Sequence, residues 1–158
     1  MALEVRRLTP EDAPAAAAVA APFADAWSAA ELAASLGQEA ARGYGVFDGP
    51  CLVAFALFFA AGGEASLSTL AVERTRHREG LGLRLLTEAL GHLSREGAAE
   101  CYLEVRASNR GAAALYEKAG FVTTGLRRHF YTRPAEDAIT MYRAAGAVTD
   151  KKEVTGFC

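Results

Sequence analysis

Glu104, Asn109 and Tyr116 fall in one short stretch, LEVRASNRGAAALY over 103–116, and the basic loop ERTRHREG over 73–80 precedes it. The first stretch puts a carboxylate near a strand end and a tyrosine on the next helix. Asn109 and Tyr116 are seven positions apart, so they share a helix face at roughly 10 Å. The basic loop follows the apolar run SLSTLAV and leads through Gly80-Leu81-Gly82 into LGLRLLTEALGHL. A strand, a glycine-bearing turn and a helix N-terminus present free amides and a favourable dipole to an anion. Arg74, Arg76, Arg78 and Arg84 add positive charge there. A carboxylate that can take a proton, a tyrosine that can give one, and an anion cradle are what acyl transfer from a phosphate-bearing carrier needs.

Each of these residues also has a plain structural reading. By strand alternation Glu104 shares a face with Tyr102 and Arg106, so a surface pair with Arg106 would account for it. Asn109 can cap a helix and Tyr116 can be a core aromatic. The glycines can serve the turn alone. Two phosphate motifs are excluded. There is no Gly-Lys-Ser/Thr, and the third glycine of a dinucleotide fingerprint is Leu85, with Glu73–Glu79 separating the glycines from the strand. His77, His92 and His129 lack ligand spacing, so no metal is expected. Cys51, Cys101 and Cys158 are an odd number with no nucleophile signature. Cys51 and Cys101 lie in apolar runs, which predicts buried free thiols and suits a reducing, cytoplasmic compartment.

The elements that must position these groups are legible in outline. Leu3–Arg6 alternates as a first strand. Thr9 with Pro10 and Asp12 starts a helix expected to run to about Ala21, and Pro22 breaks it. Ser28 with Glu31 starts a second helix that ends at Gly37. Tyr44–Phe47 and Cys51–Ala60 read as a hairpin, and Glu64–Val72 as the next strand. After the Gly80 helix, with Gly97 at its end, Cys101–Val105 is a strand. Ser108 or Asn109 starts the last helix, which Gly120-Phe121 ends in Schellman fashion. Phe121–Thr124 and Ala138–Arg143 are expected as the final strands, with Arg127–Asp137 as a charged, aromatic loop between them. The order β-α-α-β-β-β-α-β-α-β-β predicts an α+β fold with a mixed, largely antiparallel sheet.

With 158 residues, 51% of them hydrophobic, the chain can build one domain with a core of its own. A net charge of −2 gives no basic field, so nucleic-acid binding is not expected. Arg6-Arg7 before the alanine-rich run 13–21 mimics a signal peptide, but Glu11 and Asp12 interrupt it. No apolar run reaches spanning length, so no membrane helix is expected. Residues 144–158 lack apolar periodicity and read as a flexible tail after a domain spanning 1–143.

The chain resembles the GNAT superfamily of N-acetyltransferases, and within it the RimI-like ribosomal-protein-alanine N-acetyltransferases. The residues that carry the resemblance are LAV at 70–72, HREGLG at 77–82, LEVRASN at 103–109, ALYEKAGF at 114–121, and RRHFY followed by EDAITM. Trp27-Ser28 after an alanine- and phenylalanine-containing loop fits as well. The glycine loop marks the superfamily, whereas LEVRASN with ALYEKAGF and EDA is more specific to protein N-terminal acetyltransferases. His77 stands where the superfamily usually has glutamine or arginine, and the loop before Glu136 is short for it.

The resemblance implies a GNAT fold, a seven-stranded sheet flanked by about four helices. It implies acetyl-CoA, with no metal, in a splay between the strands ending at Val72 and Val105. Backbone groups of Leu70, Ala71 and Val72 would hold the pantetheine arm and acetyl carbonyl. Amides of Arg78, Glu79, Gly80, Leu81, Gly82 and Leu83 would cradle the pyrophosphate, and Asn109 would reach the carrier. Glu104 would be the base, strengthened by partial desolvation, and Tyr116 the acid. Trp27 and Tyr131 would line the acceptor entrance. The implied acceptor is the N-terminal alanine of a small-subunit ribosomal protein. Another protein N-terminus, a lysine or a small amine is the alternative within the fold, and a non-catalytic acyl-CoA-binding module is the alternative outside catalysis.

Overall fold

A computed structural model describes residues 3–144. Seven strands form one sheet in the order β1-β2-β3-β4-β5-β7-β6. The strands are β1 (Leu3–Arg7), β2 (Ala41–Asp48), β3 (Cys51–Ala61), β4 (Glu64–Val72), β5 (Glu100–Arg106), β6 (Val122–Thr132) and β7 (Ala135–Ala144). Four α-helices accompany them: α1 (Ala13–Ala20), α2 (Ala29–Leu36), α3 (Leu81–Arg95) and α4 (Arg110–Lys118). Short 3-10 segments at Pro10–Asp12 and Arg74–Glu79 lead into α1 and α3. The α+β class and the element order are those expected. The expected tail lies outside the described residues apart from Ala144, which ends β7.

Local chemistry sets the helix ends. The Thr9 amide donates to Asp12 Oδ2 at 2.8 Å. Ser28 and Glu31 form a capping box, with the Ser28 amide donating to Glu31 at 2.8 Å and the Glu31 amide to Ser28 Oγ at 3.0 Å. At the end of α4, Gly120 takes a φ of 104°. The Phe121 amide reaches Tyr116 O and the Gly120 amide reaches Glu117 O, both at 3.0 Å, the two bonds of a Schellman motif. Arg143 Nε also donates to Ala119 O at 2.8 Å, from a side chain that is buried beneath it.

The sheet carries a core on each face. Leu85, Leu86, Leu90 and Leu93 of α3 pack on Tyr44, Val46, Phe58, Leu103, Tyr116 and Met141. On the other face Ala13, Ala16, Val19 and Leu32 of α1 and α2 pack on Phe47, Leu52, Phe55 and Leu57. That second cover stops short of β5, β7 and β6, so Tyr102, in the middle of the sheet order, stays exposed.

The join between β4 and β5 is the feature that matters for function. These strands pair in parallel only from Glu64–Ser66 to Glu100–Tyr102. A bulge between Leu57 and Phe58 shifts the β3–β4 register, while β5 stays with β7 as far as Arg106. Beyond Ser66 and Tyr102 the strands part, leaving a gap bounded by Leu70–Val72 on one side and Leu103–Arg106 on the other. This is the splay that the resemblance implied.

Two expectations need correction. Residues 127–137 are not a loop. Strand β6 continues to Thr132 and β7 begins at Ala135. His129 sits at a φ of 55° in a bulge, and its amide donates to Asp137 Oδ1 at 2.9 Å. That bond satisfies the displaced backbone, so pairing resumes at Tyr131 opposite Glu136. Cys51 is exposed, not buried, because it is the first residue after the Gly49-Pro50 turn and lies at the rim of the hairpin. Cys101 is buried as expected, and burial pushes its thiol up to about 12, which makes it a poor nucleophile.

Candidate active site

Glu104 and Tyr116 lie on opposite faces of the sheet. Leu103 and Val105 point into the core beneath α3 and α4, so alternation turns Glu104 toward the uncovered face. Its side chain is 34% exposed, and its partner is Arg127, whose Nη1 donates to Oε2 at 3.3 Å. The plain pairing with Arg106 does not occur. Tyr116 is buried on the α4 side and meets the Phe121 ring edge-on at 5.9 Å. Its hydroxyl makes no hydrogen bond among the described residues. Burial pushes its ionisation well above the ordinary tyrosine value, and nearby Tyr131 adds to the effect. Tyr116 is therefore a neutral O–H donor throughout the neutral range.

The anion cradle lies at the start of α3. Gly80 takes a φ of 75°, a backbone region that favours glycine, and no atom lies within 4 Å of where a Cβ would stand. The Arg84 amide donates to Gly80 O at 3.2 Å. The amides of Leu81, Gly82 and Leu83 have no acceptor inside the helix, so the positive end of the α3 dipole is left free. Gly82 also serves the packing of the helix. A Cβ there would meet Leu115 Cδ2 at 3.0 Å, so this glycine lets α3 pack against α4.

Only two of the four arginines remain for an anion. Arg76 is held by Asp48 at 2.8 Å and Glu79 at 3.0 Å, which also occupies the Glu79 side chain. Arg84 pairs with Glu88 at 3.0 Å and reaches Leu3 O. Arg74 and Arg78 make no ion pair among the described residues. His77 does not point into open space either. Its Nε2 lies 2.8 Å from Val72 O, and its ring stacks on Phe23 at 5.4 Å. Asn109 caps α4, accepting from the Ala112 amide at 3.1 Å, which leaves its amide nitrogen to reach outward. Leu70, Ala71 and Val72 pair with Ala56, Phe55 and Ala54 of β3, and their other edge faces the gap. Among the described residues no cluster of metal-ligating side chains exists, and no helix is long and apolar enough to cross a membrane.

One group at this site was missed by the sequence reading. Arg106 is 8% exposed at the end of β5. Its Nε and Nη2 donate to Asp25 Oδ2 and Oδ1 at 2.8 and 2.9 Å. Its Nη1 reaches Pro134 O at 2.9 Å and Glu136 Oε1 at 3.2 Å, and Nη2 also reaches Arg133 O at 3.1 Å. The guanidinium lies 4.3 Å from the centre of the Tyr131 ring. Tyr131 and Trp27, both half-buried, thus stand on elements that Arg106 joins. No signal in the sequence couples these residues, because Asp25 and Glu136 lie 81 and 30 positions from Arg106.

Glu136 also accepts from the Ser108 amide at 2.6 Å. Its carboxyl is held below the usual range, chiefly by the Ser108 hydrogen bond, with a smaller contribution from Arg106 against an opposing desolvation. A lowered folded-state value adds stability above the unfolded pKa of about 4.3 and loses it as pH falls through the folded value. Melting curves of wild type and Glu136→Gln are expected to lie apart near pH 6 and to converge below about pH 4. A gap that stays constant across that range would remove this role from Glu136.

The sequence profile of the acetyltransferase (GNAT) family matches residues 4–121. The chain belongs to this family. As a GNAT protein it is similar to the [ribosomal protein bS18]-alanine N-acetyltransferase of Escherichia coli, at 44% identity over 92 residues, 57% of this chain and 62% of that one. The aligned part thus spans less than two thirds of that curated relative. The crystal structure of the ribosomal-protein-alanine N-acetyltransferase from Escherichia coli superposes on this GNAT fold with a TM-score of 0.84 at 34% identity, covering 91% of this chain and 94% of that one. Ard1 from Thermoplasma volcanium shares the fold, with a TM-score of 0.82 at 23% identity over 92% of this chain and 99% of that one.

Proposed function

We propose that this GNAT protein moves an acetyl group from acetyl-CoA to the N-terminal α-amine of a protein, the leading acceptor being the N-terminal alanine of a small-subunit ribosomal protein. The observation that carries the reading is the placement of Glu104 and the α3 cradle on opposite faces of the sheet beside the β4–β5 gap. A carrier lying under α3 and α4 and an acceptor on the open face would meet in that gap. The names of the relatives support the acceptor. The proposed unit is residues 1–143.

The residues fit the carrier. Open space beside Gly80, the free amides of Leu81, Gly82 and Leu83, and the unpaired Arg74 and Arg78 suit a diphosphate. The Arg78 and Glu79 amides extend the cradle, and Asn109 adds an amide donor. The gap-facing edge of Leu70, Ala71 and Val72 offers backbone donors and acceptors to an extended arm and to an acyl oxygen.

On the acceptor side, a peptide α-amine has a pKa near 8 and arrives largely protonated. Glu104 takes that proton, and the amine then attacks the thioester carbon. A backbone N–H of the 70–72 edge stabilises the oxyanion that forms. Attack forms the C–N bond and leaves the nitrogen with one proton in excess; as the C–S bond breaks, that proton passes to the departing thiolate, to which Tyr116 donates a hydrogen bond from its O–H. Trp27 and Tyr131 flank the approach to Glu104.

The test is thiol release from acetyl-CoA with short peptides that start with alanine, start with serine, or carry only an internal lysine. Turnover is expected with the free alanine terminus above the others. Turnover on the lysine peptide alone would replace the acceptor. Tight acetyl-CoA binding with no turnover on any peptide would leave the fold and overturn the N-terminal acetyltransferase reading.

A further inference from the structure

The segment between α1 and α2 crosses the mouth of the β4–β5 gap. On the β4 side, Phe23 stacks on His77, which is itself bound to Val72 O at the strand's end. On the β5 side, Asp25 is held in a two-point pair by Arg106. Trp27 follows two residues later, and Ser28 then caps α2. The segment is anchored on both banks of the gap, and between the anchor on β5 and the start of α2 it carries the aromatic wall.

The Asp25–Arg106 pair is built for holding and not for binding a ligand. An arginine has five N–H donors. The five bonds of Arg106 go to two Asp25 oxygens, Glu136 Oε1, and the carbonyls of Arg133 and Pro134, so no donor is left for a substrate. Its planar face is covered on one side by Tyr131. Asp25 takes a φ of 65°, a conformation that aspartate adopts uncommonly, so the segment accepts a backbone cost where it meets Arg106. Asp25 itself is 44% exposed, whereas Arg106 is buried with its other partners. The latch can therefore be opened from the Asp25 side, leaving Arg106 bound to Glu136 and two carbonyls.

We propose that Asp25 and Arg106 are positioning residues: they latch the α1–α2 segment to the β6–β7 turn and so fix the spacing of Trp27 and Tyr131 across the acceptor entrance. A fixed spacing limits the size of the first residue that the entrance accepts. This selection rests on the N-terminal acetyltransferase reading, whereas the latch itself does not.

The experiment uses Asp25→Ala and Asp25→Glu in the full chain. Trp27 is the only tryptophan of the chain, so its fluorescence reports this segment alone. Acrylamide quenching of Trp27 is expected to rise about twofold in Asp25→Ala and to return toward wild type in Asp25→Glu. For an alanine-started peptide KM is expected to rise about tenfold, as for weakened ground-state and transition-state binding alike, with kcat and the KM for acetyl-CoA within about twofold. The preference for alanine-started over leucine-started peptides is expected to narrow. Unchanged quenching in a folded Asp25→Ala overturns the latch. Raised quenching with unchanged peptide KM and selectivity overturns its role in acceptor choice. If wild type turns over no peptide, the reading of the reaction fails, and quenching alone then supports or overturns the latch.

Discussion

Replacing Glu104 by glutamine is expected to lower kcat on an alanine-started peptide by a factor of about 10² to 10⁴, the usual worth of a positioned general base. The substitution keeps the shape of the side chain and an oxygen that can accept from Arg127, 3.3 Å away. It removes the capacity to take a proton. Glu104 lies on the open face and not among the cradle residues, so the KM for acetyl-CoA is expected to change by less than about twofold. The ion pair with Arg127 is exposed on both sides, with side chains 34% and 56% accessible, and such pairs contribute no more than about 1 kcal/mol. The melting temperature is therefore expected to stay within about 3 °C. Single-turnover acetyl transfer is the measurement that decides. A variant within about tenfold of wild type means that a water or another group takes the proton, and Glu104 reverts to a surface partner of Arg127.

What could be read from the sequence follows the range of the physics involved. Thr9 with Asp12, Ser28 with Glu31, Asn109 as a cap, and Gly120 with Phe121 are contacts within a few residues, and each appears as expected. The β4 limits, Glu64–Val72, were legible because glycines mark one end and a charged run the other. Glu104 facing away from the core followed from alternation in β5. The Arg106 cluster was not legible, because Asp25 lies 81 positions away and Glu136 lies 30 away. No periodicity couples such residues; the closing of the sheet does. The same limit explains the basic loop. Four arginines beside Gly80 read as one anion site, but Asp48 at the end of β2 takes Arg76, and Glu88 one turn along α3 takes Arg84. Alternation carries strand β6 only to Thr124, because its register shifts between Thr123 and Gly125 and again between Arg127 and Tyr131, where Asp137 across the hairpin holds the His129 amide.

Tyr116→Phe is expected to lower kcat by roughly 10- to 100-fold, somewhat less than the loss of one oxyanion donor, and to leave stability intact. The hydroxyl makes no hydrogen bond among the described residues and the ring packs against Phe121, so phenylalanine keeps the packing and orphans no partner. The size of the effect follows from what a tyrosine can do for a leaving thiolate. With ordinary values near 10 for tyrosine and 8.5 for a thiol, full proton transfer is uphill by about 2 kcal/mol. Burial pushes Tyr116 higher still, which widens that gap. The phenol therefore acts by hydrogen bonding to developing negative charge on sulfur, and the proton remains largely on oxygen. Two measurements follow from that difference. An acetyl thioester of a more acidic thiol needs less help in leaving, so it is expected to narrow the ratio between wild type and Tyr116→Phe. A solvent deuterium effect on single-turnover transfer is expected to be the same in wild type and in the variant, because the proton taken by Glu104 is common to both and no proton leaves the phenol. A large effect confined to wild type would show that Tyr116 gives up its proton as a true acid, against the energetic order that burial imposes.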